Sequence, residues 1–165
     1  MIIYEEIFKD FQKQKVKYLL VGGIALNLHG SVRNTADLDI LVEMSDDNLR
    51  KIVSILNKHG YRVKQPVDPM GIADGKTRKE WIEHKNMKAF NFFRDQELKE
   101  VDLIIDSPVS YEDAKEKASY IKIGDLSLPL ISIDHLIQMK ENTGREIDKL
   151  DVAQLKKIKE LKNEK

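Results

Sequence analysis

Residues 18–42 read YLLVGGIALNLHGSVRNTADLDILV, and the interpretation of the whole chain turns on them. Tyr18 to Val21 is a short apolar run ended by Gly22-Gly23, which reads as a strand entering a tight turn. Ile24 to His29 then reads as a short helix closed by Gly30, a residue suited to the left-handed position beyond a helix end. Leu38 to Val42 forms a second strand. Asp37 and Asp39 alternate there with Ala36, Leu38 and Ile40, so both carboxylates project to one face. At the turn, absent side chains let the backbone approach a ligand closely, and the free N–H groups of the following helix suit phosphate. Two carboxylates side by side repel each other unless a cation lies between them. A hard divalent ion such as magnesium, which takes carboxylate and phosphate oxygens, resolves that conflict. A bare Asp-x-Asp is common on solvent-facing strands; the Gly-Gly turn ahead of this one makes it informative.

Upstream, residues 3–14 place Ile3, Ile7, Phe8 and Phe11 at helical spacing. Downstream, Ser45 starts a helix in which Leu49, Ile52, Val53 and Leu56 recur at helical spacing up to Gly60, and Tyr61 to Val63 begins another strand. Residues 64–86 read as a loop, with Pro66, Pro69, Gly71 and Gly75, in which Thr77 to His84 could form one or two helical turns. Lys88 to Phe93 and Val101 to Asp106 read as two strands of a hairpin joined by the polar RDQELKE. Ser110 to Ala118 looks helical, and Ile121 to Leu130 resembles a strand pair around Gly124-Asp125. Ile133 to Glu141 and Ile147 to Leu161 read as two final helices. In the second, Ile147, Leu150, Leu155, Ile158 and Leu161 lie along one side, and the Lys-rich end is expected to fray. The fold class expected is α+β of α/β type: a mixed sheet with flanking helices. Residues 1–131 would form the core and residues 132–165 a helical hairpin packed on it, one domain overall.

The bulk numbers bound the function. A chain of 165 residues fits one domain, and 28 Lys and Arg against 28 Asp and Glu leave no net charge to attract nucleic acid or membrane. The absence of cysteine removes disulfides, thiolate nucleophiles and Cys-type zinc sites. With neither a signal-like start nor an apolar run of roughly 20 residues, a cytoplasmic location is expected.

Gly22-Gly23 followed by Arg33-Asn-Thr35-Ala-Asp37-Leu-Asp39 resembles the nucleotidyltransferase motif of the polymerase-β-like superfamily. The form Gly-Gly, short helix, Arg-x-Thr-x-Asp-x-Asp is most similar to its bacterial AbiEii toxin-like branch. Such a resemblance implies a third metal-binding carboxylate on a later strand. Asp102, in Glu100-Val-Asp-Leu-Ile-Ile-Asp106, is preferred because Val101, Leu103 and Ile105 take the core face and leave Asp102 on the other. Asp106 shares that parity and is the alternative. Leu136-Ile-Gln-Met-Lys140, then Gly144-Arg145, then Asp148-x-x-Asp151 resembles the branch's C-terminal pattern. Lys140 could reach a β- or γ-phosphate as a point charge, while Arg145, Asp148 and Asp151 could equally be ion pairs fixing the hairpin.

What the resemblance implies is transfer of a nucleoside monophosphate from a nucleoside triphosphate to an acceptor hydroxyl, with release of pyrophosphate. Two Mg2+ ions, for which Mn2+ could substitute, would sit on Asp37, Asp39 and Asp102, with Gly22, Gly23, Arg33, Thr35 and Lys140 at the nucleotide. The acceptor stays open: a small molecule, a protein side chain or a tRNA 3′ end. A competing class is a protein that keeps the fold without turnover, as a toxin–antitoxin component with a cognate antitoxin or toxin partner. A nucleic-acid-binding module fits poorly with zero net charge. The four histidines show no metal-ligand spacing, Ser31 lacks an adjacent base, and Trp81 is either a base-stacking residue or a partly buried anchor.

Overall fold

The computed structural model describes residues 4–95, 97–141 and 143–163. The chain runs through α1 (Glu5–Lys13), β1 (Tyr18–Val21), α2 (Gly22–Leu28), β2 (Leu38–Val42), α3 (Asp46–Lys58) and β3 (Arg62–Val63). A 3₁₀ turn (Pro69–Ala73) and α4 (Gly75–His84) lead into β4 (Ala89–Phe93), β5 (Glu100–Ile104) and α5 (Tyr111–Lys115). The last elements are β6 (Ser119–Ile123), β7 (Leu126–Leu130), α6 (Ile133–Glu141) and α7 (Glu146–Asn163). The seven strands form one mixed sheet in the order β3-β4-β5-β2-β1-β7-β6. Thus β2 is central, antiparallel to β1 and parallel to β5, with Val21 opposite Asp39 and Asp39 opposite Asp102. This is the expected α+β architecture.

Alternation does the sorting. Phe90, Phe92, Val101 and Leu103 are buried on one face of β4 and β5, which leaves Asn91 and Asp102 on the other. On α1, Ile7, Phe8 and Phe11 enter the same core, where Phe11 meets Tyr18 edge-on at 4.9 Å; Ile3 lies outside the described residues. Ser45 caps α3 by accepting from the Asn48 N–H at 3.3 Å. The buried Asn48 side chain is itself satisfied: its Nδ2 donates to Lys17 O and Glu43 O, and its Oδ1 accepts from Lys17 N–H at 2.8 Å. That amide ties α3 to the ends of β1 and β2, and satisfaction on every side is what lets a polar group sit there.

The segment after β3 and the last helix depart most from the sequence expectation. Residues 75–84 form a full helix rather than one or two turns, because Asp74 accepts from the Thr77 N–H at 3.1 Å and Trp81 is buried against Phe90. Trp81 is therefore a core residue, and Gly71 is needed beneath it, since a Cβ there would come within 2.7 Å of the indole. On α7 the apolar stripe does not face inward. Leu155 is buried, but Ile147, Leu150 and Leu161 are 44, 62 and 54% exposed, while Asp148 and Asp151 are 1 and 4% exposed. Ion pairing to Lys140 and Arg33, rather than apolar burial, sets the rotation of the first turns of this helix. The expected fraying at residues 164–165 lies outside the described residues. No described helix is long and apolar enough to cross a membrane.

Candidate active site

Because β2 and β5 run parallel and in register, acids at alternate positions of each come to lie side by side. Asp37 accepts through Oδ1 from the Glu100 N–H at 3.1 Å, and Asp39 stands opposite Asp102. Ligand oxygens of Asp37, Glu100 and Asp102 all lie within 4.8 Å of one another. Glu100 escaped the sequence reading although it shares the parity of Asp102, the one signal that pointed to it. Asp106 lies beyond the end of β5 and is exposed, away from this cluster.

The electrostatics follow from burial and like charge. Burial, then the charge and hydrogen bond of Asp102 and the charge of Asp37, push the Asp39 carboxyl up to about 7, against the opposing pull of Lys140. Burial also raises Asp102; hydrogen bonds with Asn91 and Asp39 oppose the rise, and the charges of Asp37 and Glu100 add to it. Of these acids only Glu100 has a cation paired to it among the described residues, Lys64. An all-oxygen donor set, crowded and short of positive charge, fits Mg2+ or Mn2+ and offers nothing to softer metals.

The glycines serve a purpose that the sequence reading placed elsewhere. At Gly22, where φ is +67°, a Cβ would overlap the Asp39 carboxylate, and at Gly23 a Cβ would come within 2.8 Å of Thr35 Oγ1. The Gly-Gly pair thus makes room for the acid and the threonine of the second strand. The helix begins at Gly22 itself, directly from β1, with no separate turn.

A cleft of about 520 Å³ opens over this face. Gly22, Gly23, Thr35, Asp37, Asp39 and Asp102 line it together with Arg33, Lys140, Arg145 and Asp148. The loop before β2 is clamped by Asn27, which donates through Nδ2 to Arg33 O and accepts from the Arg33 N–H, both at 2.9 Å. Asp151 pairs with Arg33 and, at 3.1 Å, with Lys140; Asp148 pairs with Lys140 at 3.4 Å and with Arg145 at 2.7 Å. Lys140 therefore reaches the cleft while held by two buried aspartates. The hairpin carries the expected ion pairs, and Lys140, one of their cations, also lines the cleft.

A larger cavity of about 840 Å³ lies between α1 and the β4–β5 connection, lined by Tyr4, Ile7, Tyr61, Arg94 and Leu98 among others. It lacks the converging acids, which lie behind Tyr4; that hydroxyl donates to Ala36 O and Glu100 O. The predicted site residues line the smaller cleft. His29 bonds to Ile131 O and His59 to Asp10, so these two rings serve packing, and Ser31 is buried and bonded to Gln154.

A mixed sheet with a Gly-Gly strand end and carboxylates from adjacent strands converging on a cleft defines the class: the protein is a nucleotidyltransferase. The chain belongs to the aminoglycoside-2''-adenylyltransferase family, whose model matches residues 4–155. Among solved structures it is similar to a lincomycin-bound lincosamide antibiotic adenylyltransferase, LnuA, at 20% identity and TM-score 0.58, covering 92% of this chain and 93% of that one. A putative nucleotidyltransferase from Thermotoga maritima matches at 14% identity and TM-score 0.58, covering 99% and 92%. The ANT(2'')-Ia enzyme in complex with adenylyl-2''-tobramycin matches at 13% identity and TM-score 0.56, covering 94% and 90%. At these identities the structures speak for the fold. No curated protein matches the sequence significantly.

Proposed function

We propose that this nucleotidyltransferase transfers AMP from ATP to a hydroxyl of a small antibiotic-type molecule, with release of pyrophosphate. The observation that carries the reading is the convergence of Asp37, Glu100 and Asp102, with Asp39 opposite Asp102 in register, at a cleft that Asp37, Asp39, Asp102, Lys140 and Arg33 line together. The family match favours adenylyl as the group transferred and a small molecule as acceptor.

Asp37, Asp39 and Asp102, with Glu100 beside them, would hold Mg2+, which supplies charge neutralisation at the phosphates and a more acidic acceptor hydroxyl. The rest falls to side chains of the chain itself. Lys140 and Arg33 set positive charge against the triphosphate, Gly22 and Gly23 keep the floor of the cleft open, and Thr35 presents a hydroxyl there. Apolar Ile104, Leu136 and Met139 line the remaining wall. The acceptor oxygen forms a bond to the α-phosphorus, the bond from that phosphorus to pyrophosphate breaks, and the hydroxyl proton passes to water. The hairpin of residues 132–165 supplies Lys140 and acts as part of the core unit.

The motif Arg33-x-Thr35-x-Asp37-x-Asp39 supports a second reading, a toxin-like enzyme whose acceptor is a protein side chain or a tRNA 3′ end and whose partner is an antitoxin. One assay separates the two. Radiolabelled ATP, CTP, GTP and UTP are offered with Mg2+ and, in turn, aminoglycosides, lincosamides, tRNA and protein. Label from ATP on a small molecule is the expected outcome, whereas label confined to tRNA or protein selects the second reading. Failure of the wild-type chain to label any acceptor would count against both.

A further inference from the structure

The segment after β3, opaque in sequence, reaches back to the acidic face. Lys64 continues the edge pairing, its N–H donating to Asn91 O at 2.9 Å, and its ammonium pairs with Glu100. Gln65 turns its side-chain amide onto β4: Oε1 accepts from the Asn91 N–H at 3.2 Å, and Nε2 donates to Ala89 O at 3.4 Å and to Asn91 Oδ1 at 2.8 Å. Asn91 Nδ2 in turn donates to Asp102 Oδ1 at 2.7 Å.

Resting on the nucleotidyltransferase reading of the cleft, we infer that Gln65 and Asn91 are positioning residues for Asp102. They fix which carboxylate oxygen is committed to the protein and which is free for the metal cluster.

The polarity of this chain is not a matter of choice. A backbone N–H can only donate, so the Asn91 N–H dictates that the nearer atom of Gln65 is its oxygen. The nitrogen of Gln65 then faces Asn91 Oδ1 and occupies that residue's one acceptor, which leaves the Asn91 NH2 group for Asp102. Three successive bonds thus carry the sense of the β4 backbone to a carboxylate on β5. The result is an Asp102 oxygen that receives a donated hydrogen and is held in one rotamer among neighbouring negative groups. Without Asn91 the carboxylate could turn toward Asp39, which stands opposite it in the β2–β5 register. Neither Gln65 nor Asn91 is itself among the residues that line the cleft; Asn91 bonds to Asp102, which does, so the pair acts through that carboxylate.

The test uses the full-length chain and titration with MnCl2, read by calorimetry and by the electron paramagnetic resonance of free Mn2+. Asn91→Leu, an apolar near-isostere, should weaken Mn2+ binding about 10- to 100-fold, the usual effect of removing an outer partner of a metal ligand. With an acceptor identified by the labelling assay, kcat should fall by a similar factor while KM for ATP stays within about threefold. The metal-free melting temperature should move by only a few degrees, which separates positioning from general damage. Gln65→Leu should show a smaller loss, roughly 3- to 10-fold, and Gln65→Leu/Asn91→Leu should match Asn91→Leu alone, because the glutamine acts through the asparagine. If Asn91→Leu does not fold, Asn91→Ala carries the same readouts. Unchanged Mn2+ affinity in the Asn91 variant, beside a wild type that binds Mn2+, overturns the positioning role and leaves the cleft assignment standing. Additive losses in the double variant remove Gln65 from the scheme. A wild type that binds no Mn2+ removes the metal site and this inference with it.

Discussion

Two groups of aspartates, half-buried Asp39 and Asp102 on the sheet and buried Asp148 and Asp151 on the hairpin, are driven in opposite directions. On the hairpin, burial alone would raise Asp148, but hydrogen bonds from Thr143 and Arg145 and the charge of Lys140 carry its carboxyl below the usual value. On the sheet, Asp39 and Asp102 are raised by burial, and the like charges around them add to the rise. The residue type is the same; what differs is whether the fold supplies the counter-charge. On the hairpin each buried acid is answered by a cation, whereas the sheet face is left short of positive charge, and a ligand is what would complete it.

The comparison is broken most directly at the sheet. Asp102→Asn should lower transfer by about three orders of magnitude or more while sparing much of ATP binding, because the lost interaction belongs to the transition state. Parallel kinetics and nucleotide titrations check this, and unchanged transfer would end the assignment of Asp102 over Asp106.

The second effect is on stability. Mg2+ or Mn2+ with ATP should raise the melting temperature of wild type by several degrees through mass action, and Asp39→Ala should abolish the shift. Equal responses would show that the carboxylates of β2 do not hold the ion. On the hairpin the outcome reverses: Asp151→Asn leaves Arg33 and Lys140 facing a neutral amide and should destabilise the chain by about 3 kcal/mol, with or without metal.

The pH dependence of the metal-free chain sharpens the contrast. The folded pKa of Asp39, about 7, lies above its unfolded value, so between about pH 4 and 7 the native state binds more protons and apo stability falls as pH rises. Asp39→Asn in EDTA should flatten that fall. The folded pKa of Asp148 is depressed; its contribution is full above the unfolded value and lost as pH drops through the folded one, in the acid range below about pH 4. Denaturation curves at stepped pH, in EDTA, measure both limbs. The smallest effect is expected at Arg145, 70% exposed in its pair with Asp148: Arg145→Ala should cost less than about 1 kcal/mol.

The sheet and its order of helices were legible in the chain because alternation and helical spacing are local properties. Alternation in Tyr18 to Val42 put Asp37 and Asp39 on one face of their strand, and alternation in Val101 to Ile105 put Asp102 off the core face of its own. Residues 64–86 were not, since prolines and glycines mark turns without saying where a turn lands. There the Asp74 cap and the burial of Trp81 decided the helix, and the reach of Lys64 and Gln65 across to Glu100 and Asn91 has no signal in a single sequence. The face of α7 was misjudged for a related reason. Apolar spacing along Ile147, Leu150 and Leu161 argued for burial, yet Asp148 and Asp151 are buried instead, because their partners Lys140 and Arg33 arrive from other parts of the chain.

By itself, then, the sequence determined the strands, the parity that lines up the acids, and the Gly-Gly end of β1. Each depends on covalent geometry repeating over a few residues. Tertiary structure alone decided that β2 and β5 lie parallel and in register, which brings Glu100 beside Asp37, and that a Cβ at Gly22 would meet the Asp39 carboxylate. It also decided which charges are answered and which are left open, because a counter-charge is found across space, by the packing of elements far apart in the chain.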